Sequence, residues 1–230
     1  MAAAASSGRC RGMIESLATF QARLGRAVRG GDNCPIDPHS PGFRFTMAVR
    51  RSWCEGRSIM AARAVLMLMS DIDRQHLVSE YVDQGGGLEW FQGTEREKFL
   101  AFLASRLPDP SHALTICQIS QALAQAQWGA STFVPPEQRA ETVPVERSPH
   151  AALVRFYADP GAIMMALNGA DELPPLGPPT HAVLFAAGIT NLFRIATDAE
   201  ATLWATLAIA DAPRPLVTAL LSEGVLVYKA

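Results

Sequence analysis

The sequence has no paired-cysteine motif. Its four cysteines, Cys10, Cys34, Cys54 and Cys117, are far apart, and no C-x-x-C occurs. That removes the usual spacing of a zinc or redox site. Histidine is equally sparse: His39, His76, His112, His150 and His181 stand singly, so no two of them ligate a metal from one helix. There is no G-x-S-x-G, and the glycine run Gly85-Gly86-Gly87 lacks the following lysine of a phosphate loop. Charge is also in short supply: 18% of residues, with a formal net charge of −2. A nucleic-acid binder usually shows a basic face, so this balance argues against one. Long apolar runs are missing. The longest, Ala61 to Met69, is broken by Arg63 and is too short to cross a membrane. Met1 to Gly12 is small and polar and lacks the apolar core of a secretory signal. The pair Arg50-Arg51 lies well inside the chain and reads as an exposed helix turn. The expectation is a cytoplasmic protein, with no nucleic-acid and no membrane partner.

What is present is apolar material: 49% of 230 residues, enough to bury a sizeable core in one large domain or two small ones. The first 130 residues carry helical periodicity. Ile14, Leu17, Phe20, Leu24 and Val28 recur at steps of three and four. Gly30-Gly31 stops that helix, and the prolines at 35, 38 and 41 mark a loop from Asp32 to Phe43. Phe45 to Met69 predicts helix, with Trp53 and the run Val65 to Met69 facing the core and Gly56 as a dividing point. Ser70 to Asp73 and Thr94 to Glu97 resemble capping boxes. Asp109-Pro110 predicts another helix start, with proline in its first turn. That helix runs to about Gly129, with Ile116, Ile119 and Leu123 inward and a flank of glutamines.

The prolines at 135, 136, 144 and 149 mark a change of pattern. Leu153 to Tyr157 is a short β-rich run closed by Asp159-Pro160, and Gly161 to Asn168 suits two helical turns. His181 to Ala187 predicts a strand, Gly188 to Asn191 a tight connection, and Leu192 to Ala196 the return. Thr197-Asp-Ala-Glu is the clearest capping box in the chain. A helix led by Pro213 and Pro215 follows, with Leu216, Val217, Leu220 and Leu221 inward and Gly224 at its C-terminal stop. Val225 to Tyr228 predicts a last strand or packed tail. The expected class is α+β: residues 1–40 as a helix and loop, 41–132 as a helical domain, 133–150 as a linker, and 151–230 as a small antiparallel sheet with helices.

Few residues suggest chemistry. Asp73, His76 and Glu80 share helical spacing, as a metal trio or a solvated helix face would. Asp71 and Asp73 sit where a helix N-terminus attracts carboxylates anyway. Cys117 reads as a small core residue. Cys54 is open between a spare thiol and a reactive one. The C-terminal module is more suggestive. Three short strands leave a sheet edge, and an edge accepts an extended peptide unless something covers it. With strands ordered by sequence, the outer strand holds Leu192, Phe193, Arg194 and Ile195. Leu216 and Leu220 of the last helix would wall a groove beside it, and Arg194 would meet an acidic residue of the peptide.

Leu153-Val-Arg-Phe-Tyr-Ala-Asp-Pro, Leu184-Phe-Ala-Ala-Gly-Ile-Thr-Asn-Leu-Phe-Arg and Glu200-Ala-Thr-Leu-Trp resemble the C-terminal part of methanobactin biosynthesis partner proteins of the MbnC type. The helical half, from Cys117 to Ala126 and through Phe133-Val-Pro-Pro, is similar too. The likeness runs from about Ser40 onward. It implies a non-catalytic subunit in a heterodimer with an iron-containing TIM-barrel oxidase. It further implies that the pair binds a ribosomally made precursor peptide, one cysteine of which becomes an oxazolone with a neighbouring thioamide. The C-terminal module would resemble a leader-peptide recognition element. No cofactor is expected in this chain; the iron would sit in the partner. The competing expectation is a winged-helix-like DNA-binding regulator, which needs a polar recognition helix. The last helix offers only Arg214 and Thr218 for that. A third reading is a free-standing enzyme using Cys54, with its base brought from elsewhere in the fold.

Overall fold

The computed structural model describes residues 16–28, 31, 34–88, 92–137, 144–169 and 172–229. Cys10, Ile14 and Gly30, used above, lie outside the described residues. The chain forms two compact units, residues 1–54 and 55–230.

In the first unit, α1 spans Leu17–Val28. Ser16 Oγ accepts from the Thr19 amide at 3.2 Å at its start. The loop ends where Ser40 Oγ accepts the Phe43 amide, and α2, Pro41–Ala61, begins. This helix starts inside the stretch expected to be a loop and is not divided at Gly56. The break comes at Ala62, whose ψ of 31° lies outside the helical range, before the single turn α3, Arg63–Leu66. Trp53 does not face the core; it is 53% exposed. Of the run after it, Val65 and Leu66 are buried, while Met67 is half exposed.

The second unit continues with α4, Asp71–Asp83, capped by Ser70 Oγ on the Asp73 amide. Next come α5, Gln92–Ala104, and α6, His112–Ala130. Two helix starts differ from expectation. Thr94 lies inside α5, which begins two residues earlier. Asp109-Pro110 precedes α6; Ser111 caps it instead, its Oγ accepting the Leu114 amide at 3.1 Å. Hydroxyl capping two residues further on is better geometry than proline alone can supply, because it satisfies a free first-turn amide.

Five short strands follow: β1, Val145–Arg147; β2, Ala152–Phe156; β3, His181–Phe185; β4, Phe193–Ile195; and β5, Leu226–Tyr228. Between them lie α7, Pro160–Leu167; α8, Asp198–Thr206; and α9, Arg214–Ser222. The class is α+β, with β2-β3-β4 as one antiparallel sheet and β1-β5 as a second. The expected strand order holds. The stretch 133–150, expected as a linker, supplies β1, which binds the last strand through Val145↔Tyr228 and Arg147↔Leu226. Three residues of alternating pattern are too few to stand out among prolines in the sequence.

The three-stranded sheet is a middle layer. Val154, Phe156, Val183 and Phe185 turn to one face and join a core with Leu66, Phe99, Leu103, Ile116 and Cys117. Leu184 and Ala186 turn to the other and pack with Leu203, Leu220, Leu221, Val225 and Leu226. The period-two alternation of β2 and β3 therefore ties the helices α3 to α6 to the sheet in one core.

Candidate functional site

The expected edge strand exists, and its hydrogen-bond phase can be read. Ala186 N–H donates to Leu192 C=O at 3.1 Å and Ala196 N–H to Ala182 C=O at 2.8 Å. Paired residues are Val183↔Ile195, Leu184↔Arg194 and Phe185↔Phe193. Backbone groups alternate sides along an antiparallel strand. Residues 192, 194 and 196 therefore bond to β3, and those of Phe193 and Ile195 point away from it. The Ile195 carbonyl accepts from Arg194 Nη1 at 3.1 Å. Among the described residues, the Phe193 N–H and C=O and the Ile195 N–H have no partner, and no described strand pairs with this side of β4.

This window is short, for physical reasons at both ends. Asn191 and Leu192 adopt left-handed φ of 62° and 70°, so Leu192 belongs to a 3-10 turn rather than to the strand as expected. A leucine there is strained; its side chain packs on the helical core, which holds it. The turn is pinned further by Gly188, whose N–H donates to Glu223 C=O at 3.0 Å. A Cβ on Gly188 would lie 2.4 Å from the Phe133 ring, so only glycine fits. At the other end, the Thr197 amide is taken by Glu200 Oε2 at 2.7 Å, part of the capping box of α8.

Side chains on β4 divide between the faces. Phe193 and Ile195 are 49% and 67% exposed; Phe193 rests against Phe185 with ring centroids 5.8 Å apart. Arg194 turns to the opposite face and does not wait for a ligand. It bonds Glu200 through Nη1 at 2.9 Å and Nη2 at 2.6 Å, and Glu223 through Nε at 2.9 Å and Nη2 at 2.6 Å. The expected contact with an acidic peptide residue is thus replaced by an internal triad of one guanidinium and two carboxylates. Leu220 also departs from expectation. It is 2% exposed, inside the second core, and Leu216 packs against the same cluster. The two leucines hold α9 in place and do not wall an open groove.

The triad fixes protonation. Bonding to Arg194 holds the Glu200 carboxyl below the usual carboxylate range; burial opposes this, and the Thr197 amide and hydroxyl add to it. The two carboxylates raise the Arg194 pKa further. Glu200 is the depressed case: its stabilisation is complete above its unfolded pKa, about 4.3, and is lost as pH falls through the lower folded value. Urea unfolding between pH 3 and 7 should therefore show stability falling below about pH 4.3. Glu200→Gln should be less stable near neutrality and have a flatter acid limb. An unchanged acid limb in Glu200→Gln would place the acid-sensitive group elsewhere.

The run Leu153 to Tyr157, the alternative place for a peptide groove, also borders an opening. A cleft of about 250 Å³ lies along the other outer strand, lined by Leu153, Arg155 and Tyr157 of β2, by α6 residues such as Leu114 and Gln118, and by Trp204 of α8. Trp204 is held by Arg147, whose guanidinium lies 5.2 Å from the ring centroid and donates to the Trp204 carbonyl through Nε at 3.0 Å. Nothing in the local sequence pattern links residues 114, 155 and 204.

Of the other candidates, His76 is exposed, and the rest are engaged or buried. Asp73 accepts from Ser70 Oγ at 2.6 Å. Glu80 bonds Arg106 at 2.8 Å and Gln84 at 3.0 Å, and Arg106 holds its carboxyl below the usual range. No group of three potential ligands converges among the described residues. Cys54 is fully buried. Cys117 is buried, its thiol 3.2 Å from the Leu100 carbonyl, and burial pushes its pKa up to about 11. A thiol so placed is a poor nucleophile. No described helix is long and apolar enough to cross a membrane.

Compared with known proteins, the chain matches no family model, and neither a curated protein nor a solved structure is found to be similar to it.

Proposed function

We propose that this chain is a non-catalytic peptide-binding subunit that accepts an extended segment of a ribosomally made precursor as an added strand on β4. In this reading it presents a peptide cysteine to an iron-dependent oxidase bound as a heterodimer partner. The observation that carries the binding half is the open edge at Phe193 and Ile195, with two N–H groups and one C=O directed outward. Strand addition uses main-chain bonds for affinity and alternate side-chain contacts for specificity. The exposed Phe193 and Ile195 side chains supply the apolar contacts. The oxidase half rests on the sequence resemblance alone. The DNA-binding alternative has little to draw on, since α9 carries Arg214 as its single cation and turns Leu220 and Leu221 inward.

The test is co-expression with neighbouring operon products, followed by titration of the precursor peptide. An iron-bearing protein of TIM-barrel size should co-purify. Ile195→Pro removes an outward donor and leaves the β3 ladder untouched, since β3 is bonded through residues 192, 194 and 196. Peptide affinity should fall about tenfold, the equivalent of roughly 1.4 kcal/mol. Phe193→Ala should cost about 1 kcal/mol of binding, part of what a fully buried side chain contributes. Leu220→Asp is unsuitable as a probe, because it places a charge in the core. Unchanged affinity in a folded Ile195→Pro variant would remove β4 as the peptide site.

A further inference from the structure

We propose that the cleft along β2 is a second strand-docking site, fitted to a near-neutral extended peptide segment that carries one carboxylate side chain for Arg155. It stands independently of the β4 reading, because it rests on the opposite edge of the sheet. Three observations converge on it.

The first is backbone phase. In β3, residues 182, 184 and 186 bond to β4. Residues 181, 183 and 185 therefore bond to β2, through their partners Phe156, Val154 and Ala152. Leu153 and Arg155 consequently direct their N–H and C=O groups outward. Two groups on this side are already spoken for. The Tyr157 carbonyl accepts Gly177 N–H at 2.7 Å, and the Arg155 carbonyl lies 3.5 Å from the Thr115 hydroxyl. Among the described residues, the Leu153 N–H and C=O and the Arg155 N–H remain without a partner, in strand register and at the cleft.

The second is shape. An open sheet edge leaves an added strand exposed on both faces, but here both faces have walls. The first half of α6 stands on one side through Leu114 and Gln118, and Trp204 stands on the other. An extended chain entering between them would bury side chains alternately against the helix and the indole. At Tyr157 the edge itself is closed, because Gly177 N–H takes that carbonyl.

The third is charge. Arg155 is exposed and lines the cleft, and its guanidinium makes no hydrogen bond or ion pair among the described residues. It contrasts with Arg194, which two internal carboxylates satisfy. A carboxylate on the incoming strand is the natural bidentate partner. Asp109 is the other charge on the lining. It disfavours a second acidic residue, which limits the ligand to a near-neutral strand.

The experiment uses the full chain and two capped heptapeptides, Thr-Val-Thr-Glu-Thr-Val-Thr and the same sequence with Lys for Glu. Affinity is read by anisotropy and location by amide hydrogen exchange. The Glu peptide should bind and protect the Leu153 and Arg155 amides. Arg155→Ala should weaken it about tenfold, and Arg155→Pro, which also removes the outward donor, should weaken it further. Equal binding of the Lys peptide would overturn the proposal. So would protection confined to β4, protection appearing without peptide as the chain self-associates, or no protection up to the solubility limit of the Glu peptide. If the precursor titration fails while the Glu peptide still protects Leu153 and Arg155, the β4 reading falls and this one stands.

Discussion

Arg194→Ala should destabilise the protein by about 3 kcal/mol, toward the lower end of what breaking a buried ion pair costs. The reason is what remains behind. Glu200 is buried and Glu223 largely so, with side-chain exposures of 7% and 26%. Without the guanidinium, two carboxylates face each other across a partly dry space. Arg194 itself is 30% exposed, so water entering the gap offsets part of the loss. The Thr197 amide and hydroxyl still bond Glu200, which keeps the capping box formed. For a chain of this size the melting temperature should drop by about 6–12 °C. Arg194→Lys should recover only part of this, because a compact ammonium cannot fork between two carboxylates as a guanidinium does. Adding Glu200→Gln and Glu223→Gln to Arg194→Ala should restore most of the stability, since no uncompensated charge is then left. Chemical denaturation of the four proteins is the measurement. A loss below about 0.5 kcal/mol for Arg194→Ala would mean the triad is a solvent-screened surface pair.

The triad also shows where sequence reading succeeds and where it stops. Thr197-Asp-Ala-Glu announces a helix start from four adjacent residues, and the structure forms that box with Glu200 Oε2 on the Thr197 amide at 2.7 Å. Strand pairing β2-β3-β4 was legible for a similar reason: alternation over five residues and a short return confine the options. Glu223 was not legible. It lies 29 residues beyond Arg194 and reaches it only because α9 folds back across the sheet. The role of Leu220 failed by the same route. The apolar helical face is plain in the sequence, but whether such a face is covered depends on β5 and α8, which no local period reports. The pairing of β1 with β5 joins residues 145 and 228, and the β2 cleft joins residues 114, 155 and 204. Sites of this kind are made by tertiary contact between segments that are individually unremarkable in sequence.

Phe99→Ala should have the largest effect of any single truncation proposed, about 4 kcal/mol. Phe99 has 0% exposure in the core that joins the helices to the sheet. Its ring centroid is 4.6 Å from that of Tyr81 on α4 and 6.2 Å from that of Phe102 on α5. Such ring pairs add roughly 0.5–1.5 kcal/mol to simple area burial. The cost depends on whether the surroundings can collapse into the space. Here they are held back. The Tyr81 hydroxyl donates to Glu95 Oε1 at 2.6 Å, and Glu95, itself buried, also accepts the Gly87 amide at 2.9 Å. For the Tyr81 ring to swing into the void, a buried hydrogen bond to a carboxylate would have to break. Phe102 has a different setting. It is partly exposed, with the Arg106 guanidinium 5.4 Å from its ring centroid, so Phe102→Ala should cost only about 1–2 kcal/mol, in the ordinary range for single substitutions. The contrast between the two neighbours is the measurement. Equal losses in urea unfolding would show that Tyr81 relaxes freely and that the Tyr81–Glu95 bond does not brace the core. A loss in Phe99→Ala at least twice that in Phe102→Ala would locate the packing centre between α4 and α5. Because β2 and β3 lean on that same core through Val154, Phe156, Val183 and Phe185, loosening it should also raise amide exchange along the sheet carrying both proposed edges.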